Sequence, residues 1–285
     1  MPFKGASLSS NSRGFRSPEL GSLPRNDAIT IVGIGDSIMF GHGVEDAESY
    51  LPQLRELLLA RHPGIEWRVV NTGVPDYNTV MEVQTLEAKC LDLEPDLVVL
   101  GVVGNDYAPP QYLRTEEDVF DLGHSFFLDF LRRRGADPTS RAAALTHADE
   151  WRQSTGAEAG SAPPRYAELY GRQPFAAALD RLAELSRQHG FEVLAFATND
   201  YLHTVEMMEA CEQRGFHRLH LQADLERHFE ESMGRPFEWG SYKDSDLVVS
   251  PGNLHPSVLQ HALAAEKLLA HLEQTGLLEG WTAGR

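Results

Sequence analysis

The chain has 285 residues, within reach of one large α/β unit, and its 42% apolar content is enough to fill a sizeable core. A formal net charge of −17 repels phosphate backbones and anionic membranes, which argues against a nucleic-acid partner. No apolar run reaches the roughly 18 residues of a membrane span, and the opening "MPFKGASLSSNSRGF" has no apolar signal region, so the sequence reads as cytoplasmic.

Residues 1–27 are rich in Ser, Pro and Gly and read as an extended N-terminal arm. A single domain is expected over 28–285. Its first strand is the β-branched run Ile29–Ile34. A helix follows over 47–61, with an apolar stripe at Leu51, Leu54, Leu57 and Leu58, and Pro52 fits only its first turn. "EWRVVNTG" reads as a second strand and 79–93 as a helix. "PDLVVLGVVGND" reads as a third strand, continuous enough to be covered on both faces. The pattern then breaks. Residues 107–164 read as a helical insertion, a candidate lid, ending in an Ala/Ser/Gly/Pro-rich stretch. Phe120, Phe126, Phe127 and Phe130 are candidates to line an acyl pocket there, although packing on the domain is the favoured reading. Alternation resumes with a helix over 174–189, the strand "EVLAFAT", a helix over 204–214, the strand "RLHLQA" and a last helix near 257–274.

Five β runs separated by helices predict an α/β fold: a five-stranded parallel sheet between two layers of helices. Ligands of such sheets bind beyond the carboxyl ends of the strands. The residues there are Gly35-Asp36-Ser37, Asn71-Thr72-Gly73, Gly104-Asn105-Asp106, Thr198-Asn199-Asp200 and the late loop "SPGNLHPS".

Ser37 follows the first strand and opens a helix. A serine hydroxyl needs an adjacent base to act as a nucleophile, and His255 is the candidate. Pro256 behind it suits a first helical position. An oxyanion needs fixed donors, for which the N–H of Ser37, the N–H of Gly73 and the amide of Asn105 are candidates. Taken singly, each has a plain structural reading: a helix cap, a tight turn, a surface histidine, a turn pair. Their order after successive strands is the stronger signal.

That order resembles the SGNH/GDSL hydrolase superfamily, and lysophospholipase-L1-like serine esterases in particular. "GDSI" at 35–38 resembles the first block, "NTG" at 71–73 the second, "GND" at 104–106 the third and "LHPS" at 254–257 the last. The arm segment "NSRGFRSPE" is similar to the lead-in of such members. The resemblance runs from about residue 11 to 275, outside 107–164. It implies a flavodoxin-like three-layer fold and ester hydrolysis through an acyl-enzyme. By the family pattern Ser37 is the nucleophile, His255 the base, and Gly73 and Asn105 oxyanion donors.

Two departures stand out. Val103 takes the first position of the third block. More seriously, Gly252 and Asn253 stand three and two residues before His255, where the family carries an acid. Loss of that acid disturbs the imidazole tautomer and leaves the imidazolium less stabilised. Asn253 or a backbone carbonyl is one replacement; Asp200, Asp244 or Asp246 is another. The functional expectation is a serine esterase or deacylase acting on a small-molecule ester or acylated metabolite, with no cofactor and no metal. An acyltransferase on the same nucleophile is the alternative, and an impaired binding protein on the same scaffold is a third.

Competing motifs are weak. "GIGDSI" lacks the third glycine of a dinucleotide fingerprint, and the GxSxG elbow is absent. His42, His217 and His220 lack metal-ligand spacing. Asp36 reads as a residue that fixes its turn. Cys90 and Cys211 read as free buried thiols, with one disulfide as the alternative.

Overall fold

The computed structural model describes residues 2–3, 6–20, 28–109 and 166–282. The expected insertion at 107–164 lies almost wholly outside these residues, and so do its four phenylalanines.

Five parallel strands form the sheet: β1 (Ala28–Ile34), β2 (Glu66–Asn71), β3 (Leu97–Gly101), β4 (Glu192–Ala197) and β5 (His217–His220). Their order is β2-β1-β3-β4-β5, the flavodoxin-like order, with all neighbours parallel. The helices around it are α1 (Ser37–Phe40), α2 (Tyr50–Arg61), α3 (Thr79–Lys89), α4 (Arg172–His189), α5 (Thr204–Glu212), α6 (Gln222–Met233), α7 (Trp239–Tyr242), α8 (Val258–Gln274) and α9 (Leu277–Thr282). The expected three-layer α/β/α sandwich is present.

The central strands β1, β3 and β4 are almost wholly apolar because both their faces are covered, whereas the edge strands β2 and β5 carry charged and polar residues such as Arg68, His217 and Arg218. Alternate residues of one strand feed opposite cores. Val32 and Ile34 of β1 pack in the layer that holds Val83 and Leu86 of α3, Phe175 and Leu179 of α4, and Met207 of α5. Ile29 and Ile31 face the layer of Leu51, Leu54 and Leu58 of α2, Phe229 of α6 and Leu268 of α8. Burial of a large apolar side chain contributes about 1.5–3 kcal/mol, so these two layers dominate the stability of the sheet.

The structure corrects three local expectations. "RLHLQA" is a strand only to His220, and α6 begins at Gln222. That helix buries Leu225 and Phe229 on one face, and Met233 continues the stripe. The loop before His255 is a small antiparallel hairpin, β6 (Val248–Ser250) with β7 (Asn253–Pro256). Pro256 therefore ends a strand and does not open α8. Ser257 caps α8, its Oγ accepting from the N–H of Gln260 at 3.3 Å.

Candidate active site

The first strand stops at Ile34, and Asp36 caps the single turn α1. Its Oδ1 accepts the N–H of Ile38 at 2.8 Å. This Asx cap fixes Ser37 as the first helical residue at the carboxyl edge of the sheet. The Ser37 side chain is half-buried, with its Oγ 3.2 Å from Asp36 Oδ2.

On the far side of the gap, β7 delivers His255. Its Nε2 lies 2.9 Å from Ser37 Oγ, across 218 residues of sequence. The other ring nitrogen, Nδ1, lies 2.7 Å from Asn253 Oδ1. An amide oxygen only accepts, so this contact places the proton on Nδ1 and leaves Nε2 to accept from the serine hydroxyl. Asn253 reaches that position because residue 43 is glycine with φ +99°. A Cβ there would come within 2.8 Å of Asn253 Nδ2.

Two of the carboxylates proposed as substitutes, Asp200 and Asp246, are engaged elsewhere. Asp200 Oδ1 is 2.6 Å from Nδ1 of His220, the neighbouring residue at the end of β5. Asp246 meets Nε2 of His228 on α6 at 3.1 Å. The backbone of Asp244 closes a turn with Ser241. Of the candidate orienting side chains, Asn253 is the one that contacts His255.

Parallel pairing of β1 with β2 sets Asn71 level with Gly33 and carries the next residues alongside the Ser37 turn. Thr72 N–H donates to Gly33 O and Val74 N–H to Gly35 O, both at 3.0 Å. Asn71 ties the two turns together: Nδ2 donates to Met39 O at 2.7 Å and Oδ1 accepts from Gly73 N–H at 2.9 Å. Gly73 is required by this approach, since a Cβ would lie 2.6 Å from Phe40 N. Asn105 stands in the turn after β3, the strand on the other side of β1. It is half-buried, and no hydrogen bond of its side chain occurs among the described residues. Asp106 beside it turns inward, Oδ2 accepting from Val103 N–H at 3.1 Å.

Behind the serine lies a buried group of acids. Burial pushes the Asp36 carboxyl up to about 6, against hydrogen bonds that lower it. Burial also raises Glu82 and Asp106 well above the usual carboxylate range, and nearby acids add to the shift. Both Cys90 and Cys211 are free and buried, and burial raises each thiol to about 12, so neither is an activated nucleophile. Among the described residues, no cluster of three or more His, Cys, Asp or Glu could hold a metal ion.

Two contributors had no functional signal in the sequence. His42, read as a turn residue, is buried and stacks on His255. Arg16 of the N-terminal arm is buried against the loop that carries His42. Its only sequence cue is its place within "NSRGFRSPE".

No family model matches the chain, and no curated protein matches it. Solved structures do. A catalytic mutant of Axe2, an acetylxylan esterase from Geobacillus stearothermophilus, superposes with a TM-score of 0.50 at 17% identity, over 85% of this chain and 93% of that one. The likeness is one of fold, the three-layer α/β/α sandwich. Other neighbours are an acetyl xylan esterase, AlAXEase, with a TM-score of 0.49 at 12% identity over 86% of this chain and all of that one, and TesA, with 0.44 at 16% over 86% and 98%. At such identities function must be argued from the site itself. Among the described residues, no helix is long and apolar enough to cross a membrane.

Proposed function

We propose that this protein is a serine ester hydrolase that works through an acyl-enzyme on Ser37. The observation that carries the reading is the hydrogen-bonded chain from Ser37 Oγ to His255 Nε2 at 2.9 Å and from His255 Nδ1 to Asn253 Oδ1 at 2.7 Å. His255 takes the hydroxyl proton as Ser37 Oγ bonds to the ester carbonyl carbon. The carbonyl oxygen becomes an oxyanion, which the N–H groups of Ser37 and Gly73 and the amide of Asn105 are assigned to receive. Gly73 N–H joins them by leaving or sharing its contact with Asn71 Oδ1. His255 then gives its proton to the departing alcohol. Water, activated by the same imidazole, releases the acid and restores Ser37.

Asn253 takes the place of the usual carboxylate. Its oxygen holds the productive tautomer and the ring plane, while it supplies no charge to balance the imidazolium. The asparagine of Cys-His-Asn hydrolases does the same work. The proposed substrate is a small-molecule ester, and the residues of the mechanism call for no cofactor. The names of the acetyl xylan esterase neighbours agree with ester chemistry and do not choose the acyl group.

A fluorophosphonate probe tests the proposal. The wild-type protein is expected to form a stoichiometric adduct on Ser37 and to hydrolyse p-nitrophenyl acetate. Ser37→Ala should lose both. Absence of an adduct on a folded protein would overturn the reading.

A further inference from the structure

Arg16 is a charged side chain that is only 3% exposed, in an arm outside the sheet. Its guanidinium spends its donors on one short loop. Nη1 donates to the carbonyls of Phe40 at 2.7 Å and Gly41 at 2.6 Å, and Nη2 to that of Val44 at 2.6 Å. Nε donates to Asp46 Oδ1 at 2.6 Å, and the guanidinium carbon sits 4.8 Å from the centre of the Phe40 ring. The carbonyls of Phe40 and Gly41 lie at the carboxyl end of a one-turn helix, where the peptide dipoles favour a cation. One side chain thus determines the path of residues 40–44. That loop carries His42 against the ring of His255, and Gly43 against the amide of Asn253.

The next arm residue reaches the second turn of the site. Ser17 Oγ accepts Asn71 N–H at 2.7 Å, and Asn71 holds Met39 O and Gly73 N–H. The arm is itself anchored by buried Phe15 and by Asn11, whose Oδ1 accepts the N–H groups of Arg13 and Phe15 at 3.0 Å. Outside the loop, a buried arginine would cost more in desolvation than a plain strap needs. A surface arm could be held by Phe15 and Asn11 alone.

We propose that Arg16 is a positioning residue: the N-terminal arm completes the site, with Arg16 fixing the 40–44 loop behind His255 and Ser17 fixing the turn that presents Gly73. This rests on the esterase reading for its effect on rate, but the geometric claim is separable.

The test uses the full chain and two substitutions, Arg16→Ala and Arg16→Lys. Activity on p-nitrophenyl acetate, the rate of fluorophosphonate labelling, and amide hydrogen exchange are measured together. Arg16→Ala should lower kcat and the labelling rate by about 100-fold, with KM changed less than about threefold, because the loss is one of alignment. Millimolar methylguanidinium should restore part of the rate, whereas mere destabilisation would worsen in its presence. Arg16→Lys keeps the charge without the fork and should fall between the two. If Arg16→Ala does not fold, the lysine variant carries the comparison. Exchange should quicken in the peptide covering 37–44 and stay slow in β3 and β4. Wild-type kcat in either variant, or exchange that rises equally across the sheet, overturns the proposal. If the wild type neither hydrolyses nor labels, the esterase reading fails, and exchange at 37–44 still decides whether Arg16 holds the loop.

Discussion

The imidazole of His42 stacks on that of His255, ring centroids 4.2 Å apart and planes inclined by 22°. Asn253 fixes one edge of the His255 ring, and His42 covers one face. Together they restrict rotation of a ring whose Nε2 lies 2.9 Å from Ser37 Oγ. His42→Ala is expected to lower kcat about tenfold with little change in KM, since the ring gains freedom to turn away. His42→Phe keeps a flat partner and should stay within about threefold of wild type. Steady-state kinetics on p-nitrophenyl acetate decide this; equal losses in both variants would show that stacking is not what matters.

Asn253 orients His255 without charge, which makes a directional prediction. Asn253→Asp should raise kcat about tenfold, because a carboxylate beside the imidazolium stabilises it more than an amide does. Asn253→Ala should lower kcat about 100-fold through loss of the tautomer. A fall in rate for the aspartate variant would mean that Asn253 is not a stand-in for the missing acid.

Asp36 should make the protein less stable as pH rises. Its carboxyl is raised from 3.8 to about 6 by burial. The folded state therefore holds the proton more tightly, and stability is greatest below the ordinary value and falls as pH climbs through about 6. The full effect of such a shift is roughly 3 kcal/mol. His261 works in the opposite direction, its imidazole lowered to about 3 by burial, so the wild-type profile mixes the two. A comparison at constant His261 separates them. Asp36→Asn still caps α1 and should melt higher than wild type at pH 8, the difference shrinking towards pH 4. A gap independent of pH would remove the assignment.

Gly73 packs backbone to backbone against the serine turn, where a Cβ would approach Phe40 N to 2.6 Å. Gly73→Ala must displace either α1 or the Asn71 turn. If Ser37 is the nucleophile proposed above, a displacement of about 1 Å there costs roughly 100-fold in rate. The fluorophosphonate labelling rate should drop by about that factor while the far-ultraviolet circular dichroism stays unchanged. Wild-type labelling would show that the turn can yield without consequence.

Much of this protein is written locally. Apolar runs such as Ile29–Ile34, broken only by Thr30, and Leu97–Leu100 identify themselves as strands because burial on both faces favours apolar residues. Helix α3 over 79–89 and helix α4 over 172–189 declare a face by period. Helix α6 is harder to separate from β5, with only Leu221 between them, although Leu225, Phe229 and Met233 repeat along one face. The hairpin β6-β7 escaped because its three- and four-residue strands are set by pairing with each other, which no window of sequence contains.

The sequence by itself determined the layered α/β scaffold and the residues at its ligand edge, Ser37, Gly73, Asn105 and His255, since chain order and apolar patterning are properties of the chain alone. Only the tertiary structure decided which groups share contacts. It put Asn253, and not Asp200 or Asp246, on His255, and it brought His42 and Arg16 to the same place. Hydrogen bonds and ring stacking act over about 3–4 Å in space, and residues 16, 42 and 255 come within that range only when the arm, the first loop and the last hairpin have packed on the sheet.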